Sequence, residues 1–234
     1  MVMLSYKHIE QIAKETVQNF LDDPWIPFQP IDMKRMATDF LGLSLRYRNL
    51  SEYGTILGLT TFVDIAVEVW DRHDPEFVLF PKGTIILDSN LQDRRQIGRH
   101  NFTLSHEVSH QLLAKLYPEV ERVYSFSKVK TCLDRRTNAD WQEWQADNLA
   151  SALLMPEALI RRATNIYFHS PYVEFICCRR NEPLYWDLRS MSTFFGVSVK
   201  ALTIRMQRLG LLGRVQFDQH NSACLDIHAE DDDL

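Results

Sequence analysis

The stretch LSHEVSHQLL, Leu104 to Leu113, sets His106 and His110 four residues apart, with Glu107 directly after the first histidine. On a helix this spacing puts both imidazoles on one face, one turn apart, where they can share a metal ion. Glu107 follows His106 by about 100° of helical rotation. It is therefore expected beside the metal, within reach of a bound water. Catalytic zinc sites usually take three protein ligands and leave the fourth position to water. The histidine pair alone is thus incomplete.

A third donor is available in WQEWQADNLASALLMP, where Glu143 and Asp147 are again four residues apart. Glu143 could supply a carboxylate ligand. Asp147, one turn on, could accept the free ring N–H of a ligand histidine and so fix its tautomer and orientation. Ala146 and Ala150 are small enough to let two helices approach closely. An H-E-x-x-H run also arises by chance on solvated helix faces. The second element downstream makes coincidence a poor explanation here.

The flanking sequence supplies elements to hold these residues. Leu104, Val108, Leu112 and Leu116 form an apolar stripe on another face of a helix predicted from about residue 93 to 116. A loop of roughly twenty residues is expected next. A second helix is predicted over about 139–155, and Pro156 suits the first turn of a third through EALIRRATNIY. Upstream, SYKHIEQIAKETVQNFL has helical spacing. IDMKRMATDFLGL reads as another helix, capped by Asp32 and ending near Gly42. Between about residues 46 and 88 the period changes to two. VDIAVEV alternates as a half-buried strand. FVLF and TIILD are expected to form a hairpin across Pro81-Lys82-Gly83. About three strands or slightly more are expected, in a mainly antiparallel sheet. Two short helices, about 185–195 and 198–209, are expected near the end.

Composition narrows the function classes. The 234 residues carry 26 Lys+Arg against 31 Asp+Glu, a formal net charge of −5, which is not the basic balance of a nucleic-acid binder. Cys132, Cys177, Cys178 and Cys224 contain no C-x-x-C pair and are read as reduced thiols. No apolar run approaches the ~20 residues of a membrane span. The start MVMLSYKHIEQIAKE lacks the pattern of a signal peptide. A cytoplasmic protein without a membrane partner is expected.

With these residues in view, RRQIGRHNFTLSHEVSHQLL followed by EWQADNLASALLMP resembles the ImmA/IrrE family of zinc metallopeptidases. The resemblance extends over about residues 30 to 212 and is strongest at the two histidine and glutamate helices. It implies Zn2+ held by His106, His110 and Glu143, with Glu107 catalytic. Ser109 stands where the family usually has glycine, and Leu149 where phenylalanine is common. The implied fold is α+β: a small, mainly antiparallel sheet packed on a helical zincin-like core, with a C-terminal helix-turn-helix-like segment. The expected division is a peptidase domain over 1–180, a helical segment over 181–214 and a tail over 215–234 with an acidic, disordered end. Several members cleave a helix-turn-helix repressor encoded beside them. The resemblance therefore implies a zinc endopeptidase acting on a protein partner of that kind.

Zinc peptidases also need a second group at the developing oxyanion. Tyr124, Tyr167, His169 and Arg161 are the candidates, and the sequence does not choose among them. An edge strand of the sheet could take the substrate by strand addition. Cys132, between the two site helices, could occupy the open metal position. Two rival readings stand beside the enzyme. In one, MSTFFGVSVKALTIRMQRLG is a DNA-binding helix-turn-helix, with Phe194, Phe195, Val197 and Leu202 as its core and Lys200, Arg205 and Arg208 as phosphate contacts. The acidic whole-chain charge argues against it. In the other, zinc stabilises a non-catalytic interaction module, which would not need Glu107.

Overall fold

A computed structural model describes residues 3–71, 74–118, 124–128, 138–179 and 182–217; for 124–128 and 138–140 it describes the backbone. The fold is α+β. Helix α1 (Tyr6–Leu21) starts at Ser5, whose hydroxyl accepts from the His8 N–H, and buries Ile9, Ala13 and Val17. Asp32 caps α2 (Met33–Arg35) by accepting from the Arg35 N–H at 3.0 Å, as expected. The helix predicted beyond it is one ordinary turn that widens into a π-helical turn over Met36–Phe40. Gly42 then reverses the chain at φ 70°.

The strands are β1 (Ser44–Arg48), β2 (Ile56–Thr61), β3 (Ile65–Val69), β4 (Glu76–Phe80) and β5 (Thr84–Asp88). They are joined by β6 (Tyr124–Lys128), which comes from the segment after the first site helix. The main sheet has the order β1-β5-β2-β6. Its β1–β5 pair is parallel, and its β5–β2 and β2–β6 pairs are antiparallel.

The expected hairpin across Pro81-Lys82-Gly83 does not form. β4 pairs with β3 in a separate two-stranded sheet, and β5 goes to the centre of the main sheet. Burial explains the difference. Every residue of β5 is buried, so it needs a neighbour on each side, whereas β4 exposes Phe77 and Leu79. Gly83 (φ 76°) carries the chain between the sheets, its N–H donating to the Thr61 carbonyl at 2.9 Å.

β5 sorts two cores by its alternation. Ile85 and Leu87 join the main core with Leu104 and Val108. Ile86 turns the other way, with Leu59, Val69, Phe80 and Leu50. The remaining elements are α3 (Ile97–Leu116), α4 (Asn138–Leu154), α5 (Glu157–Phe168), β7 (Val173–Cys178), α6 (Pro183–Phe195), α7 (Val199–Arg208) and β8 (Leu212–Phe217). β7 and β8 form a parallel pair that the sequence reading did not anticipate. Phe195, Val197 and Leu202 of the C-terminal helices are buried in the main core, and Phe194 packs partly buried against it. Gly196 ends α6 at φ 61°, and its carbonyl accepts from Asn101 of α3 at 3.0 Å. No helix among the described residues is long and apolar enough to cross a membrane.

Candidate metal centre

Helix α3 is buried almost all round in its middle, from Thr103 to His110. A helix can be buried on every side only if each face has its own partner. Leu104, Val108 and Leu112 face the core, as the stripe predicts, but Leu116 is half exposed at the helix end. Ser105 and Ser109 lie toward α4. The Ser105 hydroxyl donates to the Ala150 carbonyl at 3.1 Å, and the Ser109 hydroxyl to the Ser105 carbonyl at 2.7 Å. A serine at 109 is thereby satisfied within its own helix. Ala146 and Ala150 are fully buried between the helices, the close approach their size allows. Leu149 is likewise fully buried in the main core.

The remaining faces of α3 carry the chemistry. His106 and His110 point toward Glu143 of α4. His106 Nε2 lies 3.1 Å from Glu143 Oε2, and His110 Nε2 lies 3.2 Å from Glu143 Oε1. The two Nε2 atoms are 3.0 Å apart. One donor atom from each of the three residues falls within 4.8 Å of the others. Two imidazole nitrogens and a carboxylate converging on one point are a donor set suited to a divalent metal. The residues therefore fit the group that the sequence implies. Asp147 Oδ1 sits 2.9 Å from His106 Nδ1, the ring nitrogen away from the cluster. The structure thus brings together His106, His110, Glu143 and Asp147, four of the five residues expected at the centre.

The electrostatics follow from this crowding. Burial disfavours a charged His106 ring. Hydrogen bonds to Asp147 and Glu143, with the charge of Glu107, outweigh burial and hold its pKa up at about 10. Burial likewise opposes the Glu143 charge, but hydrogen bonds from His106 and His110 hold its carboxyl far below the usual carboxylate range. The cationic His106 ring, held between two carboxylates, supplies the positive charge that a metal cation beside its Nε2 would otherwise provide.

Glu107 is fully buried and lies on the α3 face turned to β2, with Thr103 and Gln111. The Gln111 amide donates to Thr60 Oγ1 at 2.6 Å and to the Thr61 carbonyl at 3.0 Å, tying helix to strand. Sequence spacing did not reveal this tie. Its partners lie some fifty residues away, and a glutamine beside a histidine carries no signal of its own.

The other expected residues are placed as follows. Arg161 pairs with Glu157 at 2.8 Å and donates to the Leu209 carbonyl. Tyr167 packs beside Phe194, and His169 caps α5 at φ 52°. Arg161 and Tyr167 thus make these contacts with C-terminal elements rather than with the donor cluster. The Tyr124 side chain, Cys132, Cys224 and most of the 117–138 loop lie outside the described residues, as does the acidic tail beyond 217. Cys177 and Cys178 are free thiols.

Arg205 departs from its expected role as a phosphate contact. It is fully buried, with its guanidinium donating to the Met155 carbonyl at 3.0 Å, the Tyr6 hydroxyl at 2.6 Å and the Glu10 carboxylate. Arg208 donates to Asn148 Oδ1, and Lys200 is exposed.

Among curated proteins, none matches the chain. A family model does: that of Peptidase M78, described as the IrrE N-terminal-like domain, matches residues 64–207. The match takes in both site helices and the whole donor cluster. It covers more than half of the 234 residues. The chain belongs to the Peptidase M78 family.

Proposed function

We propose that this protein is a zinc-dependent endopeptidase that hydrolyses a peptide bond in a specific protein partner. The observation that carries the reading is the convergence of His106, His110 and Glu143, with Asp147 behind the first ring and Glu107 on the same helix. His106, His110 and Glu143 would hold the metal. When bound, zinc supplies a Lewis acid that polarises a carbonyl and makes water acidic near neutral pH. Glu107 takes the proton of the attacking water and later gives it to the leaving amine nitrogen. Asp147 accepts the His106 Nδ1–H and so keeps Nε2 turned to the cluster. β6, beside β2 at the end of the main sheet, offers an extended edge along which a substrate strand can be held.

The partner we propose is a helix-turn-helix transcriptional repressor, cut in a linker, so that cleavage acts as an anti-repressor or stress switch in the cytoplasm. The motivation is the family resemblance. Direct DNA binding is the weaker reading. Arg205 is spent on Glu10 and Tyr6, and Arg208 contacts Asn148. The test is incubation of zinc-loaded protein with a repressor encoded nearby and with unstructured casein, mapping fragments by mass spectrometry. One or two cuts in the repressor and little digestion of casein are expected. Many-site digestion of casein contradicts the narrow range. Cleavage of neither favours a binding module.

A further inference from the structure

β2 passes over α3 at one bare position. A methyl group added at Gly58 would lie 2.7 Å from Thr103 Cγ2, 2.9 Å from Glu107 Oε1 and 3.1 Å from Glu107 Cγ. Contacts between non-bonded carbons are most favourable at about 3.5–4.0 Å, so this space cannot hold a side chain. Backbone conformation does not account for the glycine. Gly42, Gly54, Gly83, Gly196 and Gly210 have positive φ, and Gly58 does not. Space is therefore the reason for a hydrogen here.

Two further observations tie the position to Glu107. Thr103, Glu107 and Gln111 are successive i, i+4 positions, so one face of α3 meets β2 along its length. Gln111 pins that face through its bonds to Thr60 and Thr61, which sets the separation of strand and helix. The β2–β6 register also shifts between Ile56 and Gly58. Such irregularities bend a strand and re-aim it. Pinned at one end and bent at the other, β2 lays the backbone of Gly58 against the Glu107 carboxylate.

We infer that Gly58 is a positioning residue for Glu107. Its bare backbone is the wall that seats the carboxylate, and a side chain there displaces Glu107 while His106, His110 and Glu143 stay in place. The inference rests on the peptidase reading for its effect on turnover, though not for the seat itself. Gly58 precedes the residues matched by the family model.

The experiment compares Gly58→Ala and the double variant Gly58→Ala/Thr103→Ser with the unmodified protein. The double variant removes the Thr103 methyl contact, so it guards against simple misfolding and leaves the Glu107 contact intact. Zinc affinity is measured by competition with a chromophoric chelator. kcat and KM are measured across pH on the best-cleaved member of an internally quenched peptide library, and the crystal structure of each variant is solved. Expected are unchanged zinc affinity, unchanged KM, a kcat lower by about a hundredfold, a shifted acid limb of the pH–rate profile and a displaced Glu107 carboxylate. A folded variant with its Glu107 undisturbed and its kcat unchanged overturns the inference. So does zinc affinity falling in step with kcat, or full recovery of kcat in the double variant. Failure of the peptidase reading looks different: the unmodified protein, with zinc bound, would cleave no member of the library, while the carboxylate position in Gly58→Ala still decides the seat.

Discussion

Asp147 Oδ1 lies 2.9 Å from His106 Nδ1, on the side of the ring opposite the Nε2 that faces Glu143 at 3.1 Å. The imidazole is thus held from both ends by carboxylates one helical turn apart on α4. Only Glu143 reaches the point where the donor atoms converge. The proposed division of labour between two acidic residues, ligand and orienting partner, rests on which end of the ring each one touches. Loss of such a partner typically costs ~10–100-fold in metal affinity or activity. Asp147→Ala should show that loss and retain measurable zinc binding, whereas Glu143→Ala should lower zinc occupancy sharply. Equal zinc affinity in Asp147→Ala and unmodified protein, with equal turnover, would remove Asp147 from the site.

Zinc uptake should release protons. In the metal-free protein the His106 pKa stands at about 10, so the ring is charged at pH 7.5 and must lose a proton to become a ligand. Apparent zinc affinity therefore rises as pH rises toward about 10 and falls as pH drops. Calorimetric titrations at pH 7.5 in buffers of different ionisation enthalpy should give buffer-dependent heats. Heats that do not vary with the buffer would contradict a protonated His106.

Arg205, fully buried, and Glu10, partly buried, form an ion pair between α7 and α1, and Tyr6 adds a hydrogen bond. Removing one member of a buried pair strands the other charge, typically at a cost of about 3–5 kcal/mol. Arg205→Ala should lose stability of that order in urea unfolding. Lys200→Ala, at an exposed site on the same helix, should stay within about 0.5 kcal/mol. An Arg205→Ala protein as stable as the unmodified one would show that the pair is not a structural latch.

The donor cluster was legible in the sequence because each half of it is local. His106 with His110, and Glu143 with Asp147, are i, i+4 pairs on strongly patterned helices, so helical geometry alone brings each pair to one face. The residues that support the cluster were not legible in the same way. Gly58, Gln111 and Arg205 act through partners about 50, 50 and 195 positions away, and nothing local marks them. Arg205 shows the hazard of reading a charge by its neighbours. A basic helix suggested phosphate contacts, and its partner Glu10 was out of view. The sheet failed for a related reason. Pro81-Lys82-Gly83 signals a turn, but turn chemistry does not say which strands pair across it. The burial of β5 on both faces decided that instead. The register shift at the start of β2 and the β7–β8 pair depend on tertiary neighbours, as β-structure generally does.

The central claim is that Glu107 moves the proton in a zinc-dependent peptide hydrolysis. Glu107→Gln tests it most directly, because it removes the base and leaves His106, His110 and Glu143 untouched. Zinc content by atomic absorption and repressor cleavage by mass spectrometry are measured on the same preparation. The account predicts one zinc per chain in both proteins and cleavage by the unmodified protein alone. Cleavage by Glu107→Gln at the unmodified rate, with zinc bound, would contradict it.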